Sequence, residues 1–289
     1  MTSSLFLRLF KAGRKPATAA PSSDDLEARL DAARDRAIAL TPSGGDGTRS
    51  RFGGFPTLPE CVAWPRQGKT GTPLHFLAEI DPAELPPTPL ESGGPALPPR
   101  GRLGFFADVE EELIWDDDPG GRGGVHDPVR VLFHDAPGEI AAAPDDLPEL
   151  GHAFGERAGG RAKGELAFPP TRLATRVVDS YPGVQLPSPH TPEMQRWNAA
   201  VYARIAASGV GQPGSPARLR LNQMLGAPLN YNLDADALAQ AGHVLLLQLE
   251  SDASVDPAAY LGCGMIQFWL KREDLAARRF ERSFATWRG

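Results

Sequence analysis

The sequence is poor in cysteine and lacks the signatures of common enzyme classes. Its 289 residues contain two cysteines, Cys61 and Cys263, which stand far apart along the chain. So low a count argues against a disulfide framework and suits two reduced thiols in the cytoplasm. There is no Gly-x-Ser-x-Gly, and the Gly-x-Gly-x-x-Gly string at Gly209–Gly214 contains Pro213 and follows a predicted helix instead of a strand. Neither a nucleophile-elbow hydrolase nor a Rossmann dinucleotide site therefore has an anchor in the sequence.

Long apolar runs are also missing. The longest, Val244–Leu249, is far shorter than the roughly 20 residues that a membrane-spanning helix needs. The N-terminal stretch Leu5–Phe10 is apolar, but it lacks the pattern of a cleaved signal peptide. We expect residues 1–23 to be a mobile leader and linker with no stable membrane insertion. A short amphipathic helix on a membrane surface is the alternative for this stretch.

Metal and phosphate motifs have little support. The six histidines are scattered, and none stands at ligand spacing from another histidine or a cysteine. The string Ala63–Thr70 is similar to a phosphate-binding loop, but Trp64 and Pro65 fill its centre. Pro73 then excludes the helix that must follow such a loop. We therefore predict no catalytic residue, no metal and no cofactor.

The charge balance is mildly acidic, with 30 Lys and Arg against 36 Asp and Glu. This balance disfavours a nucleic-acid partner. The densest charge is a run of six carboxylates at Glu110, Glu111, Glu112, Asp116, Asp117 and Asp118. We interpret it as a docking site for a basic protein partner. A Ca²⁺ or Mg²⁺ site and a solvated charged hairpin are the alternatives.

The local patterns predict an α+β fold with mostly antiparallel strands and peripheral helices. Apolar segments bounded by turn residues predict strands near 74–80, 102–107, 129–133, 243–249 and 264–270, and alternating residues predict one at 171–178. A capped helix is predicted from Ser23 to Leu40, because Leu26, Leu30 and Ala37 share its apolar face. Two more helices are predicted, over 192–207 and 274–280. Residues 24–289 are expected to form a single domain.

Two segments of the chain carry the same succession of signals. Each has a Gly-x-Pro turn, then an apolar strand with one polar residue, then a glycine that opens a strand ending in two aromatics. The first series uses Gly54, Glu79 and Phe105-Phe106, and the second uses Gly226, Gln248 and Phe268-Trp269. We expect an internal duplication with two pseudo-symmetric halves, the first repeat at about 51–135 and the second at about 171–280.

Glu79 and Gln248 are the candidate ligand-binding residues, together with the nearby aromatics Trp64 and Phe106. A carboxylate in the middle of an apolar strand is costly unless it is paired or hydrogen-bonded. One hypothesis is a polar pocket between the two halves. The alternative is that both side chains fix neighbouring backbone, as buried polar groups usually do.

The two segments together resemble the YwqG-like bacterial family, a domain of unknown function. In the first half the resemblance lies in Arg51–Pro59, Trp64-Pro65 and Leu77–Ile80. In the second half it lies in Leu225–Pro228, Leu245–Asp252 and Gly264–Leu270. It covers about residues 50–280. The family often has glutamine at the place of Glu79, histidine near Asn222 and aspartate at the place of Cys263, so a site built on those positions is altered here.

The resemblance implies a bacterial α+β protein without an established activity. Our first interpretation is a non-catalytic cytoplasmic binding module, one form of which is an immunity protein that neutralises a toxin partner. The second is an enzyme or small-ligand-binding protein that uses the pocket around Glu79 and Gln248. An open cleft at these residues favours the second interpretation, and a filled centre favours the first.

Overall fold

The computed structural model describes residues 23–45, 47–87, 97–109, 129–150, 164–182, 191–209, 222–228, 238–239, 241–250 and 265–288. Three α-helices lie in these segments: α1 (Ser23–Ala33), α2 (Pro192–Ala207) and α3 (Arg272–Ala276). None of the helices described is long and apolar enough to cross a membrane.

More of the described residues belong to β-strands than to α-helices. The strands are β1 (Asp35–Pro42), β2 (Arg51–Phe52), β3 (Thr57–Leu58), β4 (His75–Ile80), β5 (Arg102–Ala107), β6 (Val129–His134), β7 (Glu139–Ile140), β8 (Thr171–Ser180), β9 (Gln223–Met224), β10 (His243–Glu250), β11 (Met265–Lys271) and β12 (Phe284–Arg288). The strands predicted from the sequence coincide with β4, β5, β6, β8, β10 and β11, and the helix predicted at 192–207 is α2. The short helix predicted at 274–280 lies at 272–276 instead.

Ten strands form one sheet in the order β12-β11-β10-β9-β1-β8-β2-β4-β5-β6, and β3 pairs with β7 in a separate ribbon. The pairings between these strands are antiparallel. The two end strands, β6 and β12, come into contact, so the large sheet is curved into a nearly closed barrel. The mostly antiparallel α+β class is thus confirmed.

The centre of the sheet joins the first half of the chain to the second. β1 and β8 pair along eight residues, from Asp35 opposite Ser180 to Pro42 opposite Leu173. β2 follows β1 in sequence but pairs with β8, and β9 follows β8 but pairs with β1. Each half of the chain therefore contributes its first strand to the other half.

The predicted helix from Ser23 to Leu40 is wrong in its second part. α1 ends at Ala33, and β1 begins at Asp35. Ile38 and Leu40 pack in the barrel interior, whereas Ala37 and Ala39 pack under the helices on the outer face. A strand that is buried on both faces gives a continuous apolar run, which periodicity cannot distinguish from the apolar face of a helix.

The barrel interior is filled by apolar side chains from both halves. Phe105 of β5 meets Phe268 of β11 edge to face, with ring centroids 5.2 Å apart. Phe106 and Trp269 are also buried but belong to two other clusters, because neighbouring residues on a strand point to opposite faces. The centre between the two halves is therefore packed with side chains.

The outer face of β1 and β8 is covered by α1 and α2. Thr191 begins α2 by accepting a hydrogen bond from the Met194 N–H at 3.2 Å, with Pro192 in the first turn. Trp197 of α2 is fully buried, and its indole N–H donates to the Pro182 carbonyl at 3.1 Å. These helices are the peripheral helices that the sequence predicts.

The strand registers around Glu79 and Gln248 correspond. Glu79 stands opposite Arg51 of β2 and Gly104 of β5. Gln248 stands opposite Gln223 of β9 and Gln267 of β11. In each case a β-bulge lies on the strand just before the polar residue, between Phe76 and Ala78 in one half and between Leu245 and Leu247 in the other.

The turns after β2 and β9 also correspond. Gly53 and Gly54 have φ values of 64° and 71°, and Leu225 and Gly226 have φ values of 59° and 70°. A side chain on Gly53 would meet the Pro169 carbonyl oxygen at 2.3 Å, so glycine is required there. Leu225 adopts the same left-handed conformation at a steric cost of the order of 1 kcal/mol or more.

Candidate functional site

Glu79 lies on the outer face of β4, and four donors surround its carboxylate. Oε1 accepts hydrogen bonds from Arg51 Nη1 and Arg102 Nη1, each at 2.7 Å, and from the Thr57 hydroxyl at 3.1 Å. Oε2 accepts from the Thr57 backbone N–H at 2.8 Å. Both carboxylate oxygens of Glu79 are therefore hydrogen-bonded, as a buried carboxylate requires.

Arg51 connects Glu79 to the segment that follows β2. Its Nη2 donates to the Phe55 carbonyl at 2.5 Å and to the Thr57 hydroxyl at 3.4 Å, and its guanidinium lies 5.7 Å from the centre of the Phe76 ring. Burial lowers the pKa of Arg51, and the Glu79 charge opposes that shift. The buried ion pair therefore holds residues 51–57 against the sheet.

Gln248 belongs to an uncharged cluster in the other half. It accepts a hydrogen bond from Gln267 Nε2 at 2.9 Å. The Thr286 hydroxyl lies 3.3 Å from Gln267 Oε1 and accepts from the Trp269 indole N–H at 3.0 Å. Gln223, opposite Gln248, donates through Nε2 to the carbonyls of Leu225 and Ala227 at 3.2 and 2.8 Å. All of these side chains are buried.

Glu79 and Gln248 thus have separate sets of partners. Four strands lie between β4 and β10 in the sheet. Glu79 is on the same face as Phe106, and Gln248 on the same face as Trp269, whereas Phe105 and Phe268 fill the interior between them. The structure does not join the two polar residues in one pocket.

Trp64 and Phe106 are brought together. Their ring centroids are 5.9 Å apart, edge to face, and Phe106 makes a similar contact with Phe76 at 5.3 Å. The Trp64 indole N–H donates to the Leu74 carbonyl at 2.8 Å. Trp64 is therefore held rigidly, with one part of its surface in the core and the rest toward a cleft.

The cleft beside Trp64 has a volume of about 720 Å³. Residues 58–60, Val62, Trp64 and residues 137–142 line it, so the β3–β7 ribbon forms one of its walls. Among these lining residues only Glu60 and Glu139 are charged, and both are exposed. Ile140 is 71 % exposed, the highest value for a large apolar residue in the described segments.

The walls of the cleft are fixed by contacts on both sides. The ring nitrogens of His134 lie 2.9 Å from the Thr57 carbonyl oxygen and 3.2 Å from the Ala136 carbonyl oxygen. Arg66 binds both carboxylate oxygens of Asp146, at 2.7 and 2.9 Å, and its hydrogen bonds lower the pKa of Asp146. These contacts tie the residues before and after each wall to the rest of the domain.

The string Ala63–Thr70 is part of a hairpin turn. The Gln67 N–H donates to the Thr72 carbonyl at 2.8 Å, and the Gly71 N–H donates to the Gln67 carbonyl at 2.9 Å. Arg66 pairs with Pro73 as an isolated antiparallel bridge. No helix follows the turn, because the chain continues into β4. The arrangement has none of the strand-to-helix geometry that a phosphate loop needs.

A family model for a domain of unknown function, DUF1963, matches residues 50–288. The chain belongs to this family. No curated protein matches it. The DUF1963 match begins just before β2 and runs through β12, so α1 and β1 stand outside it although β1 is central to the sheet.

Several predicted positions in the DUF1963 domain are outside the described residues. They are the six carboxylates Glu110, Glu111, Glu112, Asp116, Asp117 and Asp118, together with Cys263. Cys61 is described, and it is a free, exposed thiol next to the cleft-lining Glu60 and Val62.

The cleft itself was not predicted from the sequence. Its β7 wall is two residues long, too short for alternation to reveal a strand. The signals that were available are Pro59 after β3 and Pro137-Gly138 before β7, which mark the ends of a short ribbon.

Proposed function

We propose that this protein is a non-catalytic binding module whose cleft beside Trp64 takes a basic segment of a protein partner. The observation that carries the proposal is the cleft lining, which combines apolar side chains with an equal share of polar surface and bears Glu60 and Glu139 as its charged groups. Its volume of about 720 Å³ is in the ordinary range for sites that enclose small ligands or a few side chains.

The partner class follows from charge. Two exposed carboxylates beside an apolar surface attract a segment that carries Lys or Arg next to an apolar residue. A toxin with a basic surface is one partner of this kind, and an immunity role is the corresponding specific hypothesis. The acidic run at 110–118 remains a second predicted docking surface for such a partner.

A binding role fits Glu79 better than an enzymatic one. It is buried and held by hydrogen bonds from Arg51, Arg102 and Thr57, so a substrate has no access to its carboxylate. Its position one strand away from the turn at 53–56 supports a structural role that holds the Thr57 end of the β3–β7 ribbon.

We further propose that residues 24–289 form one domain that arose by duplication. Three observations support the duplication: the corresponding partners of Glu79 and Gln248, the corresponding bulges, and the corresponding left-handed turns. A pseudo-two-fold axis between β1 and β8 would exchange β2 with β9 and β4 with β10. A duplicated YwqG-like ancestry and a cytoplasmic location, which suits the free Cys61, complete the proposal.

Cys61 allows a direct test of the cleft. After Cys263→Ser replacement, a thiol-specific photo-crosslinker is attached to Cys61, and the protein is irradiated in extracts of the native cell. The same is done with the charge-reversed pair Glu60→Lys and Glu139→Lys. The matched control is Glu165→Lys with Glu281→Lys, which changes the net charge equally at exposed positions outside the cleft.

We expect a partner that the labelled wild type and the control pair capture and the cleft pair does not. Capture of the same proteins by all three would contradict the proposal, and so would the absence of any captured protein.

A further inference from the structure

β7 has an edge that no described strand covers. The β3–β7 ribbon contains two strands, and β7 pairs with β3 on one side. The Ala141 N–H donates to the Pro56 carbonyl at 2.9 Å, which makes residues 56 and 141 a hydrogen-bonded pair. In an antiparallel ladder, hydrogen-bonded pairs alternate with non-hydrogen-bonded pairs. Thr57 and Ile140, the next residues along, therefore form a non-hydrogen-bonded pair. The N–H and carbonyl of Ile140 therefore point away from β3.

The backbone N–H and carbonyl of Thr57 also point away from the ribbon, and both have hydrogen-bond partners. On its side of the ribbon, the N–H donates to Glu79 and the carbonyl lies 2.9 Å from His134 Nε2. On the opposite side, Ile140 faces solvent with 71 % of its surface exposed. An uncovered row of backbone donors and acceptors is a template for an added strand.

We infer that the partner segment binds in extended form and adds a strand to β7. This inference rests on the proposed function and specifies how the segment is recognised. The backbone of the segment pairs with Ile140, and by alternation with Gly138 and Ala142 on either side. The side chains on one face of the segment then reach the cleft.

Charge and shape define the segment. Glu139 on β7 and Glu60, two residues after β3, both line the cleft beside the open edge. Cross-strand pairs of opposite charge stabilise a sheet, and Trp64, Val62 and Leu58 offer an apolar surface. The segment therefore has basic and apolar residues in alternation.

A synthetic probe tests the inference on the full-length protein. The probe is an acetylated and amidated peptide of alternating lysine and valine, six residues long. Two further versions are N-methylated, one on every lysine and one on every valine. Since an added strand turns alternate N–H groups toward its neighbour, one methylated version should bind as the parent does and the other should lose binding. A glutamate–valine peptide is the charge control.

Amide exchange of Ile140, followed by NMR, reports the contact. We expect the lysine–valine probe to slow exchange at Ile140 by about tenfold or more, as expected when an open amide becomes hydrogen-bonded. Thr57 should keep its rate because its N–H is already bonded. The glutamate–valine peptide should leave both unchanged.

Two protein variants complete the test. Proline is tolerated on a strand edge whose N–H faces solvent, so Ile140→Pro should fold with the wild-type thermal midpoint but lose the probe. Ile140→Thr keeps the N–H and should retain binding. If Ile140→Pro does not fold, the pair of methylated peptides still decides the question.

The outcomes separate this inference from the proposed function. If the probe binds in the cleft without protecting Ile140, or if both methylated versions bind equally, strand addition is wrong and cleft binding stands. If the probe does not bind at millimolar concentration, strand addition by basic segments is wrong, and the crosslinking at Cys61 judges the cleft independently. If the free protein dimerises with Ile140 already protected, a second copy covers the edge and the inference is wrong.

Discussion

Glu79 is a carboxylate in the middle of a buried strand, and its neighbours determine its role. It is 1 % exposed, and two arginines compensate its charge. An unpaired charge at this depth would cost several kcal/mol, so the cluster is stable only as a set. The corresponding residue, Gln248, is neutral and needs no counter-ion. The buried polar residue is thus held by ion pairs in the first half and by hydrogen bonds between neutral side chains in the second.

Replacing Glu79 with Gln should destabilise the fold strongly. The change leaves Arg51 buried without a counter-charge, and loss of one member of a buried ion pair costs about 3–5 kcal/mol. Urea unfolding followed by circular dichroism measures the difference. Glu149→Gln is the control, because Glu149 is exposed, and it should change stability by less than about 0.5 kcal/mol. Equal stability of the two variants would show that the pair is not structurally important.

Phe105 and Phe268 should be coupled across the barrel. Each change to Ala should cost about 3–5 kcal/mol, because each ring is fully buried. Their edge-to-face contact should add a coupling of about 0.5–1.5 kcal/mol in a double-mutant cycle. Purely additive losses would mean that the two rings do not stabilise one another.

The 3-10 turn Pro82–Glu84 connects three parts of the first half. The Glu84 carboxylate accepts from the backbone N–H groups of Arg49 and Ser50, at 2.6 and 2.8 Å, and from the Ser50 hydroxyl at 2.8 Å. Burial acts to raise the pKa of Glu84, but these hydrogen bonds outweigh it, and the net shift is downward. The charged form is therefore the one that stabilises the native state.

The stability of the protein should decline in acid partly through Glu84. A carboxyl whose pKa is lower in the folded state contributes stability above its unfolded pKa of about 4.3, and this contribution is lost as pH falls through the folded pKa. Glu84→Gln should lower stability near neutral pH and converge toward wild type at lower pH. Urea midpoints from pH 7 down to pH 3, taken for both proteins, check this. A constant difference at every pH would exclude the linkage.

The positions of most strands and helices could be predicted from the sequence, but the pairing of the strands could not. The pattern of strand-forming residues between turn residues located β4, β5, β6, β8, β10 and β11. It failed at β1, whose Ala-Ile-Ala-Leu run is buried on both faces. It also could not reveal that Arg51 and Arg102 flank Glu79, because cross-strand neighbours depend on register rather than on local sequence.

At the scale of the whole molecule, β1 of the first half of the chain pairs with β8 and β9 of the second half, and β8 also pairs with β2 of the first half. β1 pairs with β8 on one side and with β9 on the other. Among the described residues, the β1–β8 pairing is the one place where hydrogen bonds between strands join the two halves of the sheet. The family match begins at residue 50 and omits β1. The match therefore leaves out a strand at the centre of the sheet.

A chain truncated to residues 50–288 should not fold cooperatively. Removal of β1 exposes the edges of β8 and β9 and the side of the core that Ile38 and Leu40 fill. A chain of residues 23–289 should melt in a single transition near the full-length midpoint. Circular dichroism melts of both compare them directly. Cooperative melting of the shorter chain at the same midpoint would show that β1 is dispensable.

The central claim, that the cleft beside Trp64 binds a basic partner segment, is tested most directly by the affinity of the captured partner. Its dissociation constant is measured for wild type, for the cleft pair Glu60→Lys with Glu139→Lys, and for the control pair Glu165→Lys with Glu281→Lys. Placing like charges against a basic segment should weaken binding by about tenfold or more. Added salt should reduce the difference between the dissociation constants of wild type and the cleft pair. The control pair should bind as wild type does. Equal dissociation constants for the cleft and control pairs would contradict the claim.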